Sequence, residues 1–458
     1  MRRALVLWLV LFGVYSATVG LHALGGSDYA GDEPHYLLTA KSLVDDGDAD
    51  LLNQYRDRAY RSFHPGTLEP HGALTGGRLH EPHGLGFPAA IAPAYALGGA
   101  KAVEVLLAAL AALAVALAYR LAVRVVPDPW ALGAALAVGL SPPMLAYSTA
   151  VYPELTVAAV LAGAALLVVK MGEGRPRRRT ALACFALLAT IPWLGLRFAP
   201  AGIVIGGYGQ RALRRARRGV LALISLEIAA FAVAVYVGVN GRLYGGPSPY
   251  SAASPGQEGT GADFPLGYAQ RAYRLVALFI DRDYGLLRWA PVVALVLVGA
   301  WLLLRERRTG LARAIPGLRA EESAATMCAL AAGAQLLVAA FLAPTMFGGW
   351  FPARHLVAVL PLAVPLIALG LRRLPRTGAL LAVVGAGASV WLYAAVRWGD
   401  ATLVGDRPEA PLGPVNSLLP LFTKGSTWPF VLAGCIGIAI TAAVLAALWP
   451  RTWRRPAG

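Results

Sequence analysis

Two adjacent carboxylates, Asp32 and Glu33, lie shortly beyond the end of an apolar N-terminal stretch. Carboxylates beside a membrane span are costly to hold near lipid, so this pair indicates a functional site. Glu33 is open to two interpretations: it is a second acid of the site, or it hydrogen-bonds the loop.

Arg197 lies in the turn 192–198 between two short apolar segments, 180–194 and 198–210. Each segment predicts a helix of about 13–15 residues, or roughly 20–22 Å, against a hydrocarbon core about 30 Å thick. The turn should therefore end within the outer leaflet, where a cation is costly unless it is paired or binds an anion. Two roles stay open: contact with a lipid-linked phosphate, or snorkelling and a structural ion pair.

Other charged residues at the ends of apolar segments also have two interpretations each. Glu154 follows a proline, so it is either an acid that favours a helix dipole or a site residue. Asp283 belongs to the Asp-Arg-Asp stretch 281–283, which suits a local ion-pair cluster or a substrate contact. Arg354, followed by His355, either flanks a span or contacts phosphate.

Imidazole and carboxylate groups that would suit zinc are concentrated in one stretch: His64, Glu69, His71, His80, Glu81 and His83. The candidate metal ligands are His80, Glu81 and His83, but Pro82 between them excludes the HExxH helix geometry. Hydrogen bonding to a donor or acceptor, or loop structure, is therefore favoured over a divalent metal, and no cofactor is assigned.

Membrane spans are the elements that must position these residues. The chain has 458 residues, of which 57% are hydrophobic and 14% charged, whereas soluble domains carry about a quarter charged residues. The three cysteines lie far apart in apolar runs and lack metal-ligand spacing. We predict an all-α, polytopic membrane protein that forms a single domain over 1–458.

Twelve apolar stretches approach the roughly 20 residues that a helix needs to cross the hydrocarbon: 4–24, 102–120, 130–148, 154–171, 180–194, 198–210, 219–240, 290–304, 323–343, 356–371, 377–396 and 429–449. With cytoplasmic N- and C-termini, the inner loops hold most of the Lys and Arg residues, as the positive-inside rule requires. The net charge of +16 therefore needs no nucleic-acid partner.

The long loops all fall on the outer side, at 25–101, 241–289 and 397–428, and the seven histidines lie at or near that side. An outward-facing site follows. Residues 85–97 are apolar but too short to span, which suits an interfacial or a re-entrant helix in the first outer loop. The loop 241–289 contains a stretch rich in Gly, Ser and Pro, which predicts a flexible segment or a plain linker.

The segment 32–36, Asp-Glu-Pro-His-Tyr, resembles the first-loop signature of the GT-C glycosyltransferases. Within that class it is most similar to the branch of protein O-mannosyltransferases and lipid A aminoarabinose transferases. The segment 83–88 is similar to the His-Pro-Pro-Leu-Gly segment of that branch, with Gly84 in place of the first Pro. Segments 152–154, 281–287 and 348–355 resemble uncharacterised bacterial members, and the matches follow chain order over most of the sequence.

This resemblance implies a GT-C-type bundle of about 12 transmembrane helices with amphipathic helices in the first outer loop. It implies a glycosyltransferase on the outer face of the bacterial plasma membrane, which transfers a hexosyl or pentosyl group from a polyprenyl-phosphate donor to an acceptor hydroxyl with inversion. Asp32 would be the general base beside Glu33. The implied phosphate-binding residues are Arg197, Arg354 and His355, and the implied substrate contacts are His35, Tyr36, His83, Glu154 and Asp283.

Two other classes of function stay open. Twelve spans also suit a membrane transporter or lipid flippase, but the two halves show no evident duplication and the long loops share one side. A structural partner in an envelope-polymer pathway would have no need of Asp32 beside a cation. A protein, a glycolipid and a polysaccharide all remain possible acceptors.

Overall fold

The computed structural model of this protein describes residues 1–253, 266–309, 316–404, 418–422 and single positions between 432 and 439. Nearly all regular structure in this part of the chain is helical. The α-helices are α1 (Arg2–Ser16), α2 (Glu33–Asp45), α3 (Leu52–Arg56), α4 (Gly86–Ala122), α5 (Trp130–Gly139), α6 (Pro142–Tyr147), α7 (Glu154–Gly172), α8 (Arg178–Leu194), α9 (Ala199–Arg215), α10 (Gly219–Tyr244), α11 (Leu266–Gln270), α12 (Arg274–Ile280), α13 (Leu286–Trp289), α14 (Leu295–Thr309), α15 (Pro316–Leu337), α16 (Arg354–Val357), α17 (Leu360–Arg373) and α18 (Pro375–Trp398).

Shorter elements connect these helices. A two-stranded antiparallel hairpin, β1 (Leu74–Thr75) and β2 (Arg78–Leu79), lies in the first outer loop, with Leu74 opposite Leu79. One π-helical turn, Val338–Leu342, follows α15. The remaining turns are 3-10 helical: Ala59–Ser62, Leu196–Phe198, Pro249–Ala252, Arg271–Tyr273 and Pro291–Ala294.

The predicted helical membrane architecture is confirmed, while the count of twelve spans stays a prediction. Within the described ranges, five helices are long and apolar enough to cross a bilayer: Gly86–Ala122, Glu154–Gly172, Gly219–Ala252, Glu321–Leu342 and Pro375–Trp398. Predicted span 130–148 divides into α5 and α6, because consecutive prolines begin α6 and cannot continue the α5 hydrogen bonds. Predicted span 429–449 lies mostly outside the described residues.

The core of the bundle is built from α4, α7 and α17, which contact one another and bury small apolar side chains. Alanines along α4 and α7 allow close approach of the backbones, as in other membrane bundles. In contrast, α10 exposes large apolar side chains such as Phe231, of which 71% of the surface is accessible. A face of this kind suits contact with lipid chains.

The first outer loop begins with α2, whose buried side chains pack against α4. The short helix predicted at 85–97, interfacial or re-entrant, is the first part of α4, which bends at Gly98 and Gly99. Gly99 has φ +63°, a conformation that favours glycine, so the bend is encoded locally. Of the predicted flexible loop 241–289, residues 254–265 lie outside the described ranges.

The short helix pair is longer than predicted. Helices α8 and α9 have 17 residues each, because both continue into the flanking arginine blocks at Arg178 and Arg215. The turn between them contains Arg197 and approaches the start of α4. A Cβ at Gly86 would lie 2.4 Å from the carbonyl oxygen of Trp193, so only glycine permits this contact.

Candidate active site

Four charged side chains from distant parts of the sequence form one connected group, here called the ion-pair network. Arg354 Nη2 donates to Asp32 Oδ2 at 2.8 Å, and Arg354 Nε donates to Glu154 Oε1 at 3.0 Å. Arg197 Nη2 donates to the same Glu154 oxygen at 2.7 Å. The network therefore joins the first outer loop to α7, to the turn before α9 and to α16.

Asp32 is the N-terminal boundary residue of α2, and the sequence explains this placement. Pro34 lies in the first turn, where its missing N–H costs nothing. The preceding Gly31 has φ +57°, and a Cβ there would lie 2.8 Å from the Tyr152 hydroxyl oxygen. Glycine therefore lets the chain turn tightly against Tyr152 and present Asp32 to Arg354.

Burial and charge act on Asp32 in opposite directions. Burial raises the pKa of Asp32, but the positive charge and hydrogen bond of Arg354 lower it by more, so the pKa lies below its ordinary value. The carboxyl group is therefore ionised at neutral pH. Its side chain is 26% exposed, against 1% for Glu154 and 4% for Arg354. Asp32 is thus the carboxylate of the network that a solute can reach.

Arg354 is held between two aromatic rings. Its guanidinium carbon lies 4.0 Å from the centroid of Tyr152 and 4.9 Å from that of Trp350. The preceding Ala353 adopts φ 71°, a strained conformation for a residue with a Cβ. Strain of this kind persists where the surroundings hold it, and here it directs Arg354 toward two carboxylates.

Glu154 is the first residue of α7, as its position after Pro153 predicts. Its Oε1 accepts from both arginines, whereas Oε2 is buried and has no hydrogen-bond partner in the described part of the chain. An unused buried carboxylate oxygen is costly. Arg197 is 27% exposed, and its guanidinium also lies 4.9 Å from the Phe198 ring.

Glu33 is fully engaged by the backbone. Its Oε2 accepts from the Ala30 N–H at 2.7 Å, and its Oε1 accepts from the Val151 N–H at 2.6 Å. Burial raises the pKa of Glu33 to about 8. These contacts attach the start of α2 to the segment before α7, so Glu33 positions Asp32 relative to Tyr152 and Glu154.

The other predicted substrate contacts in the first outer loop are His35 and Tyr36 of α2 and His83, which packs against them. Tyr36 is buried, and its ring contacts Phe87, Tyr152 and His83. His35 is also buried, and its Nδ1 lies 2.8 Å from the Tyr55 hydroxyl. Burial lowers the pKa of His83 to about 4, so its imidazole is neutral.

Three predicted residues have their described partners outside the ion-pair network. His355 Nε2 faces the Thr345 carbonyl oxygen at 2.9 Å, and burial lowers its pKa to about 3, so it carries no positive charge for phosphate. The side chain of Asp283 is 45% exposed, and its Oδ1 lies 3.9 Å from Arg288 Nη1. His80 Nδ1 faces the Ala49 carbonyl oxygen at 2.7 Å.

Two contributors to the site were not identified from the sequence as functional residues. Tyr152 and Trp350 enclose Arg354, and both fall within segments already singled out for their resemblance, 152–154 and 348–355. An aromatic residue beside a candidate cation is the signal that could have identified them, since guanidinium groups stack on aromatic faces.

The fold resembles that of two solved structures of ArnT from Cupriavidus metallidurans. The apo structure has a TM-score of 0.53 and 17% sequence identity, covering 96% of this chain and 70% of that chain. The structure bound to undecaprenyl phosphate has a TM-score of 0.48 and 18% identity, covering 96% and 72%. The sequence matches no protein-family model and no curated protein. The likeness to the apo structure shows that this chain shares the ArnT fold, a helical membrane architecture of the kind that the motif resemblance implied.

Proposed function

We propose that this protein is a membrane glycosyltransferase that transfers a sugar from a polyprenyl-phosphate donor to an acceptor hydroxyl. The observation that carries the proposal is the ion-pair network, in which a solvent-accessible carboxylate contacts a buried arginine. The ArnT-like fold and the ordered GT-C motifs support the same activity class. The site would face the outer side of the bacterial plasma membrane, where the long loops are predicted.

Asp32 is the proposed general base. The acceptor hydroxyl loses its proton to Asp32 while its oxygen bonds to the anomeric carbon of the sugar. The bond from that carbon to the phosphate oxygen breaks, and the polyprenyl phosphate leaves with the bonding pair. A single displacement of this kind inverts the anomeric configuration. A base must be ionised before it accepts a proton, and Asp32 meets that requirement, although its lowered pKa also makes it a weaker base.

Arg354 and Arg197 are the proposed phosphate ligands. The leaving phosphate gains negative charge, which fixed cations in a desolvated site stabilise. A guanidinium has five N–H donors, and Arg197 uses one of them for Glu154, so donors remain for phosphate oxygens. Glu154 would hold both arginines in place between turnovers. His355 is proposed to support the local backbone, since its imidazole is neutral and faces Thr345.

The proposal is tested with purified protein in lipid nanodiscs, as wild type and as Asp32→Asn. Each is incubated with radiolabelled polyprenyl-phosphate sugars, hexosyl and pentosyl, and with a membrane extract of the source cell as acceptor. Transfer of label by the wild type but not by the variant is expected, and it identifies the sugar. Failure of the wild type to bind any of the carriers would contradict the proposal and favour a transporter.

A further inference from the structure

A cluster of four potential metal ligands lies beside α2: His35, His71, Glu81 and His83. Their ligand atoms all lie within 4.8 Å of one another. His71 Nδ1 lies 3.0 Å from His83 Nε2, and His35 Nδ1 lies 3.1 Å from Glu81 Oε1. Both distances are close to the roughly 3.3 Å edge of a tetrahedron with metal–ligand bonds of about 2.0–2.1 Å.

The cluster is a built site rather than a chance surface grouping. The side chains of His35 and Glu81 are each 2% exposed, and that of His83 is 16% exposed. The rings of His35 and His71 are stacked, with centroids 3.9 Å apart. Nδ1 of His71 and Nε2 of His83 face each other, so at most one proton can lie between them. At least one of the two nitrogens therefore presents a lone pair, as a metal ligand does.

Further hydrogen bonds orient the carboxylate of Glu81. The Tyr55 hydroxyl donates to Glu81 Oε1, and the His71 backbone N–H approaches Oε2 at 3.2 Å. Metal sites characteristically have such partners around the ligands, which fix ligand orientation and raise affinity. Three imidazole nitrogens and one carboxylate oxygen suit a zinc ion that is bound by four protein ligands.

We propose that His35, His71, Glu81 and His83 bind a divalent transition metal of the zinc class. The ion would join the loop 71–83 to α2, since His35 lies one helical turn beyond Asp32 and the other ligands come from that loop. Its role is to hold the first outer loop in place. The assignment of this metal site does not depend on the proposed sugar transfer, because it follows from the four ligands and the distances between their atoms.

Metal content is the direct test. The full chain is purified in nanodiscs without chelator, incubated with zinc chloride, passed over a desalting column, and assayed by mass spectrometry for metal per chain. About one zinc per wild-type chain is expected, as for a closed four-ligand site. His71→Asn should lose that zinc. The matched control His80→Asn should retain it, because His80 faces a backbone carbonyl outside the cluster.

A second variant tests the orientation of Glu81. Tyr55→Phe removes the hydroxyl donor and should weaken zinc binding by roughly 10–100-fold, measured by competition with a chelator of known affinity. If His71→Asn does not fold, X-ray absorption at the zinc edge of the wild type still tests the proposed ligands. The spectrum should show imidazole nitrogens at about 2.0–2.1 Å from the zinc.

Two outcomes would overturn the metal proposal. One is a wild-type chain that binds no zinc at micromolar concentration, and the other is zinc that persists equally in His71→Asn and His80→Asn. Neither result bears on sugar transfer, which is measured separately. Conversely, a chain that binds zinc through these ligands but binds none of the polyprenyl-phosphate carriers would refute the proposed function and leave the metal site standing.

Discussion

Arginine–carboxylate ion pairs occur in two regions of this protein, and their surroundings differ. On the predicted inner side, Arg3 Nη1 lies 2.5 Å from Asp128 Oδ2, with side chains 69% and 19% exposed. In the ion-pair network, Arg354 Nε lies 3.0 Å from Glu154 Oε1, and the two side chains are only 4% and 1% exposed. Distance alone therefore does not distinguish the two. Water screens the first pair, whereas the second pair is desolvated.

That difference assigns each pair a role. An exposed pair contributes little and serves with other basic residues to anchor topology. A buried pair costs desolvation energy that its attraction barely repays, so it is weak evidence for stability and stronger evidence for a site. The network also leaves Glu154 Oε2 without a partner, as expected where charge is arranged for a ligand.

The largest effect should follow from removing the shared cation. Arg354→Met leaves Asp32 and Glu154 without their common partner, which should destabilise the fold by about 3–5 kcal/mol and lower turnover at least about 100-fold. Thermal unfolding in nanodiscs and the transfer assay measure these changes. Arg3→Met is the matched control. Equal losses in the two variants would contradict the distinction between buried and exposed pairs.

The next effect concerns pH. Arg354 holds the pKa of Asp32 below its ordinary value, so wild-type Asp32 stays ionised in mildly acidic buffer. In Arg354→Met the effect of burial remains without that charge, so the pKa rises and the base becomes protonated as pH falls. Residual turnover of the variant should therefore decline at higher pH than that of wild type. An identical acidic limb in both pH–rate profiles would show that Arg354 does not control Asp32.

A smaller effect is expected from Glu154→Gln, which keeps the shape but removes the negative charge. Arg197 and Arg354 then lack their shared counterion, so an anionic ligand should bind several-fold more tightly. Binding of polyprenyl phosphate, measured by titration of nanodisc-embedded protein, checks this. Glu104→Gln is a control, because Glu104 is also buried but contacts Tyr29 and Lys101 instead. Unchanged binding in Glu154→Gln would argue against phosphate contact by the arginines.

The smallest effect should come from the exposed pair on the predicted inner side. Asp128→Asn removes the partner of Arg3, but Arg3 is largely exposed and water replaces the contact. Turnover and the unfolding temperature should both match wild type within error. A substantial loss of turnover would mean that the exposed pair contributes to function, and the comparison would fail.

Much of the fold could be predicted from the sequence because membrane helices depend on local composition. The bundle and the helix pair α8 and α9 follow from apolar length and basic blocks, although both helices of the pair are longer than predicted. The lengths of single elements were less predictable. The apolar stretch 4–24 is helical only to Ser16, and 130–148 is divided at Ser141, because turn and proline effects override hydropathy.

The four members of the ion-pair network were each singled out from the sequence, but their contacts with one another were not predicted. Asp32, Glu154, Arg197 and Arg354 were each identified from position or motif, yet two interpretations of most of them stayed open. Arg354 and Glu154 are 200 residues apart, and no local pattern encodes such a contact. The same limit applies to Tyr55, whose hydroxyl reaches Glu81 through the folding of the first outer loop.

The most direct test of the central claim is the turnover of Asp32→Asn relative to wild type, measured at saturating polyprenyl-phosphate sugar, together with donor affinity. If Asp32 is the general base, turnover should fall by roughly 100-fold or more while donor binding stays within a few-fold. Asp45→Asn, at the other end of α2, should behave as wild type. Turnover of Asp32→Asn equal to that of wild type would contradict the account.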